Sequence, residues 1–204
     1  MSEDGRGDGP DLLEAAWQQV AERGWRRWSA VELARATGTP LATVYALFPD
    51  REHLVIALAR RVDAAMLAVP LDELTQMSVR ERLFELLMRR LEAMRPYRAG
   101  LAVAAREAVC EPRLLALAWS NLERLAVWLV DAGGVEFDGI HACLARHALQ
   151  LAYLRVLRVW LKDDSPDLAR TMAELDRRLG ELETLARLAR GGPVPWPGRP
   201  AEAA

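Results

Sequence analysis

The residues with the strongest claim to chemistry gather between positions 26 and 51. There Arg26, Arg27 and Arg51 bracket Ser29, Thr39, Thr43 and Tyr45, while the stretch from Gly38 to Phe48 carries no charged side chain. Hydroxyl groups can hydrogen-bond phosphate oxygens or base edges, guanidinium groups can neutralise phosphate, and Leu41 or Ala42 can meet a thymine methyl. The set offers hydrogen bonding and apolar contact, with no nucleophile beside a base. Nor does the chain contain G-x-S-x-G, a phosphate loop or H-E-x-x-H, so it reads as a non-enzyme with no catalytic residue and no cofactor. Cys110 and Cys143 lack C-x-x-C spacing. His141, Cys143 and His147 read as offering no ligand pair at helical spacing and no carboxylate constellation, so no metal is expected.

The elements that must position these residues are helices. Apolar residues recur at helical spacing almost throughout, which predicts an all-α fold of about nine helices. The first runs from Asp11 to Arg23 and stops at Gly24. A second opens at Ser29, where Ser29 and Glu32 form the S-x-x-E capping box, and reaches Thr37. Thr39 can cap a third, with Pro40 at its first position and Leu41 to Phe48 as its body. Two short helices joined by a glycine-containing turn are the helix-turn-helix arrangement, whose second member can enter a DNA major groove. Asp50 caps a longer helix running to Pro70.

Beyond it, Ser78 and Glu81 form a second capping box opening a helix that ends near Pro96, and helices follow over Arg98 to Val109, Pro112 to Ala132 and Asp138 to Leu161. Trp119 and Trp128 stand nine residues apart, about 180° around their helix, which predicts cover on both sides. Ser165 caps the last helix with Pro166 at its first position, and Leu168, Met172, Leu175, Leu179 and Leu182 alternate by four and three as a packing seam. Two long terminal helices predict a homodimer joined by a four-helix bundle, although the seam could equally pack within one chain.

At 204 residues with 51% hydrophobic side chains the chain can bury a sizeable core, and a net charge of -2 excludes a wholly basic nucleic-acid binder. Residues 1–61 hold eight arginines against nine carboxylates, so any basic footprint is local. No signal peptide and no membrane span is read, which predicts a cytoplasmic protein. The expected organisation is a disordered start over 1–10, a helix-turn-helix domain over 11–62, a helical body for ligand binding and dimerisation over 63–190, and a disordered Pro/Gly-rich tail over 191–204.

With these elements in place, Asp11 to Leu58 resembles the TetR family of bacterial transcriptional regulators. The resemblance is carried by Gly38, then Thr43-Val44-Tyr45 with Phe48 three residues on, then Glu52 ahead of Leu54. It implies a three-helix head on double-stranded operator DNA, a body holding a small apolar ligand that modulates operator affinity, a homodimer through the last two helices, and action as a repressor. The implied DNA contacts are Arg26, Arg27, Ser29, Thr39, Leu41, Ala42, Thr43, Tyr45 and Arg51. For the ligand the candidates are Met88, Met94, Arg106, Cys110, Trp119, Trp128, His147 and Tyr153; for the dimer interface they are Leu168, Met172, Leu175, Leu179 and Leu182. The family often places Lys, Arg or His where this chain has Leu41, Ala46 and Leu47. A fainter similarity, through Arg95-Pro96-Tyr97-Arg98, Trp160 to Pro166 and Leu175-Asp176-Arg177-Arg178, is to the TetR-fold lipid-binding accessory proteins of ubiquinone biosynthesis. It implies the alternative of a lipid or isoprenoid binder that does not read DNA.

Overall fold

Residues 11–136 and 139–189 are described by a computed structural model, and among them every regular element is helical. The expected disorder over 1–10 and 191–204, and the helix start at Asp138, lie outside the described residues. Helix α1 (Leu12–Arg23) starts because the Asp11 carboxylate accepts the amides of Leu13 and Glu14 at 3.0 and 3.2 Å. It buries Leu13, Ala16, Trp17 and Val20, and stops at Gly24, whose φ of +95° suits glycine.

Helix α2 (Ala30–Thr37) forms half of its expected capping box. The Ser29 hydroxyl accepts the Glu32 amide at 3.4 Å, but the Ser29 amide is taken by Gln19 Oε1 at 3.2 Å. The Glu32 carboxylate turns instead to Arg23 and Arg35. After Gly38, in the left-handed region at φ +66°, comes α3 (Leu41–Leu47), capped by Pro40 without a side-chain bond. Thr39 therefore does not cap it; its hydroxyl lies 3.0 Å from that of Thr37, which belongs to the preceding helix.

Helix α4 (Glu52–Met66) ends short of the expected Pro70, and α5 (Leu71–Gln76) forms where no helix is predicted, its start marked by Pro70 and the acidic pair Asp72 and Glu73. The chain thus has ten α-helices among the described residues, one more than expected. The 62/63 domain boundary falls within α4. Helix α6 (Val79–Ala93) has the complete box, with the Glu81 amide donating to Ser78 Oγ at 3.3 Å and the Ser78 amide to Glu81 at 2.8 Å. Then follow α7 (Arg98–Glu107), α8 (Pro112–Gly133), α9 (Gly139–Trp160) and α10 (Ala169–Ala189).

The start of α10 is organised by Asp163 rather than by Pro166. Its fully buried carboxylate accepts the amide and hydroxyl of Ser165 and, at 2.8 and 2.6 Å, the amide and hydroxyl of Thr171. Burial opposes its charge, yet these four bonds outweigh burial and hold the carboxyl well below the usual carboxylate range.

Packing joins head and body into one core that runs from Trp17, Trp25 and Leu54 through Leu86 and Leu125 to Trp160 and Leu175. Helix α1 lies on α7, α4 packs on α6 and α8, and α10 packs on α9 and α6. The α1–α7 contact is close because Gly100 has no side chain; a Cβ there would stand 2.5 Å from the Trp17 carbonyl oxygen. Asp11 and Arg61 are paired at the same junction, and Arg61 also donates to the Tyr97 hydroxyl at 2.6 Å.

Candidate nucleic-acid interface and body cavity

Helix α3 buries Val44 alone, with Phe48 buried just after its end. Ala42, Thr43 and Ala46 are exposed, as are Tyr45 at 63%, Leu47 at 51% and Leu41 at 48%. An exposed apolar helix held by one anchor presents its surface to something outside the chain. Ser29 and Thr39 are half-buried at its border, and Arg27 is exposed beside them.

Arg26 and Arg51 point elsewhere. Both guanidinium groups meet the Glu111 carboxylate, at 2.7 and 3.0 Å, just before α8 begins. Arg26 also donates to the Cys110 carbonyl at 3.0 Å, and Arg51 stands 5.8 Å from the centre of the Trp25 ring. Glu111 thus gathers two candidate DNA-binding arginines onto the seam between head and body. Sequence reasoning does not single it out, because a carboxylate ahead of a helix is an ordinary residue and its partners lie 60 and 85 positions away.

The eight candidate ligand residues do not surround one space. Met88, Met94 and Tyr153 are buried in the body core, where the Tyr153 hydroxyl accepts Arg90 Nε at 3.3 Å and lies 3.6 Å from Met94 Sδ. Arg90 pairs with Asp63, which also accepts Arg124 Nε at 3.3 Å, so this polar cluster ties α4, α6, α8 and α9 together. Burial opposes the charge on Arg90, and Tyr153 and Asp63 overcome it to raise its pKa. One turn before Tyr153, the buried amide of Gln150 has no hydrogen-bond partner among the described residues. Arg106 and Cys110 line a separate surface cleft with Arg23, Arg26 and Arg27.

Trp119 and Trp128 are exposed on α8, at 53% and 39%, so the expected cover on two sides is not supplied by the described residues. His147 is exposed on α9, with its Nδ1 2.8 Å from the Cys143 carbonyl and 3.6 Å from the Cys143 thiol. Cys143 and His147 therefore do form a pair at helical spacing, contrary to the sequence reading. Among the described residues no third ligand-type side chain joins them.

A cavity of about 860 Å³ opens between the start of α6, the end of α8, the first half of α9 and the second half of α10. Its walls include Val79, Leu83, Ala148, Leu149, Leu179 and Leu182. None of the eight ligand candidates lines it. Within the α10 seam Leu168, Leu175 and Leu179 are buried and Met172 and Leu182 half-buried, in a helix whose main contacts are with α9 and α6 of the same chain. The outward stripe belongs to α9, where Ile140, Leu144, Leu151 and Leu154 are all exposed and, with His147, keep the four-three alternation.

Residues 12–58 match the model of a family described as bacterial regulatory proteins, tetR family. Among solved structures, a TetR transcriptional regulator from Nitrosomonas europaea is 19% identical with a TM-score of 0.71, over 84% of this chain and 95% of the other. A tetR-family transcriptional regulator from Streptomyces coelicolor is 20% identical with a TM-score of 0.62, over 87% and 81%. A TetR variant from Acinetobacter baumannii in complex with minocycline is 20% identical with a TM-score of 0.50, over 89% and 99%. Likeness at these identities establishes a shared fold. No match is found among curated proteins. The matched segment spans α1 to the middle of α4 and contains the glycine turn and the outward helix anchored by Val44, so over residues 12–58 this chain is similar to the tetR family of bacterial regulatory proteins.

Proposed function

We propose that this protein is a transcriptional repressor that binds double-stranded operator DNA as a homodimer and releases it when a small apolar ligand occupies the body. The observation that carries the reading is α3, whose Leu41, Tyr45 and Leu47 stand exposed although the chain is able to bury such residues. In a major groove Thr43, Leu41 and Ala42 would meet base edges and methyl groups, while Ser29, Tyr45, Thr39 and Arg27 would hold the backbone. The outward stripe of α9 supports dimerisation, and the cavity supports ligand binding at a place different from the eight candidate residues. Such a protein performs no catalytic step and acts in the cytoplasm, with its operator. Among the described residues no helix is long and apolar enough to cross a membrane.

Two observations favour a second reading, a lipid or isoprenoid binder that ignores DNA: α3 has no charged side chain, and most of the residues lining the cavity are apolar. Fluorescence anisotropy with the upstream intergenic DNA and a shuffled duplex separates the two. A repressor prefers the genuine fragment by about 10³ or more and weakens with salt. Thr43→Ala with Tyr45→Phe should cost at least about tenfold in that affinity with helicity unchanged. Equal, feeble binding to both duplexes overturns the repressor reading.

A further inference from the structure

We infer that the cavity between α6, α8, α9 and α10 takes a linear aliphatic chain of roughly ten carbons ending in at most one small neutral polar group. The inference rests on the reading of the body as a ligand site and names the chemistry of its occupant. Two walls set the length. Lining residues run from His141 to Leu149 on α9 and from Leu179 to Arg187 on α10, and eight helical steps span about 12 Å. The volume of about 860 Å³ is more than one such chain fills, so the span of the two walls and not the volume sets the length. Room is made by Ala145, Ala148 and Ala186, small residues on helices whose other faces carry leucines.

The polar groups at the mouth set the charge. The Ser78 hydroxyl is occupied by its capping box. Arg80 donates to Asp176 at 2.8 Å and to Glu183 at 3.4 Å, and Arg187 donates to Glu183 at 3.2 Å. Two guanidinium groups are thus matched by two carboxylates, and no excess charge awaits a carboxylate or an ammonium group. Deeper in, the walls are aliphatic, so a polar atom carried inside loses its water and gains no partner. Among the described residues the ring of exposed His141, also in the lining, has no hydrogen-bond or ion-pair partner, and it suits a terminal hydroxyl.

Isothermal titration calorimetry of the full chain with octanol, decanol and dodecanol tests this. Affinity should rise about fourfold per methylene as far as decanol and then level off. Decanoate and decylammonium should each bind at least tenfold more weakly than decanol. Ala148→Trp and, separately, Ala186→Trp should each lose tenfold or more, with cooperative unfolding confirming that the variant is folded. Affinity that is flat across the wild-type series, decanoate binding more tightly than decanol, or wild-type affinity in both folded variants would overturn the inference. Operator titrations run in parallel keep the two readings apart. Graded alcohol binding by a protein indifferent to its upstream DNA sustains the aliphatic site and overturns the repressor, whereas tight operator binding with a flat alcohol series does the reverse.

Discussion

Glu111 holds two guanidinium groups that a DNA-binding surface would otherwise use, and it does so across the junction of head and body. Neutralising it frees Arg26 and Arg51 and removes a negative charge that DNA must approach. Glu111→Gln should therefore raise operator affinity about three- to tenfold at low salt and steepen the salt dependence by about one or two phosphates. Anisotropy titrations over a salt series measure both, and an unchanged slope would mean that neither arginine reaches the duplex. The exposed face of α3, with its hydroxyl and apolar side chains, is legible in the sequence because its spacing lies within a single helix. Arg26 and Arg51 are misleading there, since residue type shows a cation but not the carboxylate 60 or 85 positions away that claims it. The same holds for Trp119 and Trp128, whose size suggests burial although the described residues leave them 53% and 39% exposed.

At the scale of elements, local signals are read well and signals completed from a distance are not. Ser78 and Glu81 close their box with no competing partner among the described residues; Ser29 and Glu32 close only half because Gln19 reaches the Ser29 amide from α1. The entry to α10 shows the same limit, with Asp163 collecting four bonds from Ser165 and Thr171 around a turn in which Leu168 takes φ +55°. The folded carboxyl of Asp163 titrates below its unfolded value of about 3.9. Its stabilising charge is therefore fully present above about pH 4 and is lost as the pH falls toward the folded value. Asp163→Asn should lower stability at pH 7 by about 2 kcal/mol and flatten the loss of stability below about pH 4. Urea denaturation at pH 7, 4 and 3 checks this, and a wild-type acid limb in the variant would count against it. The α1–α7 contact yields another expectation. Gly100→Ala forces a methyl group against the Trp17 carbonyl, so it should cost about 1–3 kcal/mol, read as a fall in Tm together with altered operator affinity because α7 no longer seats the head.

For the whole molecule, the all-helical fold follows from periodicity, but the partners of long helices do not. The four-three alternation from Leu168 to Leu182 states that α10 packs on another helix without stating which, and α9 of the same chain takes most of it. The stripe left for a second copy is Ile140, Leu144, Leu151 and Leu154, on a helix apolar on nearly all sides. Light scattering after size exclusion should give twice 22.8 kDa. Leu151→Glu should halve that mass while leaving the helical content unchanged, because Leu151 is 62% exposed in the single chain. A monomeric wild-type protein at micromolar concentration would remove the dimer from the proposed mechanism.

Leu144 belongs both to the lining of the cavity and to the outward stripe of α9. A chain filling the cavity and a second copy covering the stripe would press on that one helix from two sides, and by linkage each would alter the affinity for the other. The dose of ligand at which the regulator responds would then depend on how many copies of it the cell contains. A change in its own expression would retune the sensor without a single substitution.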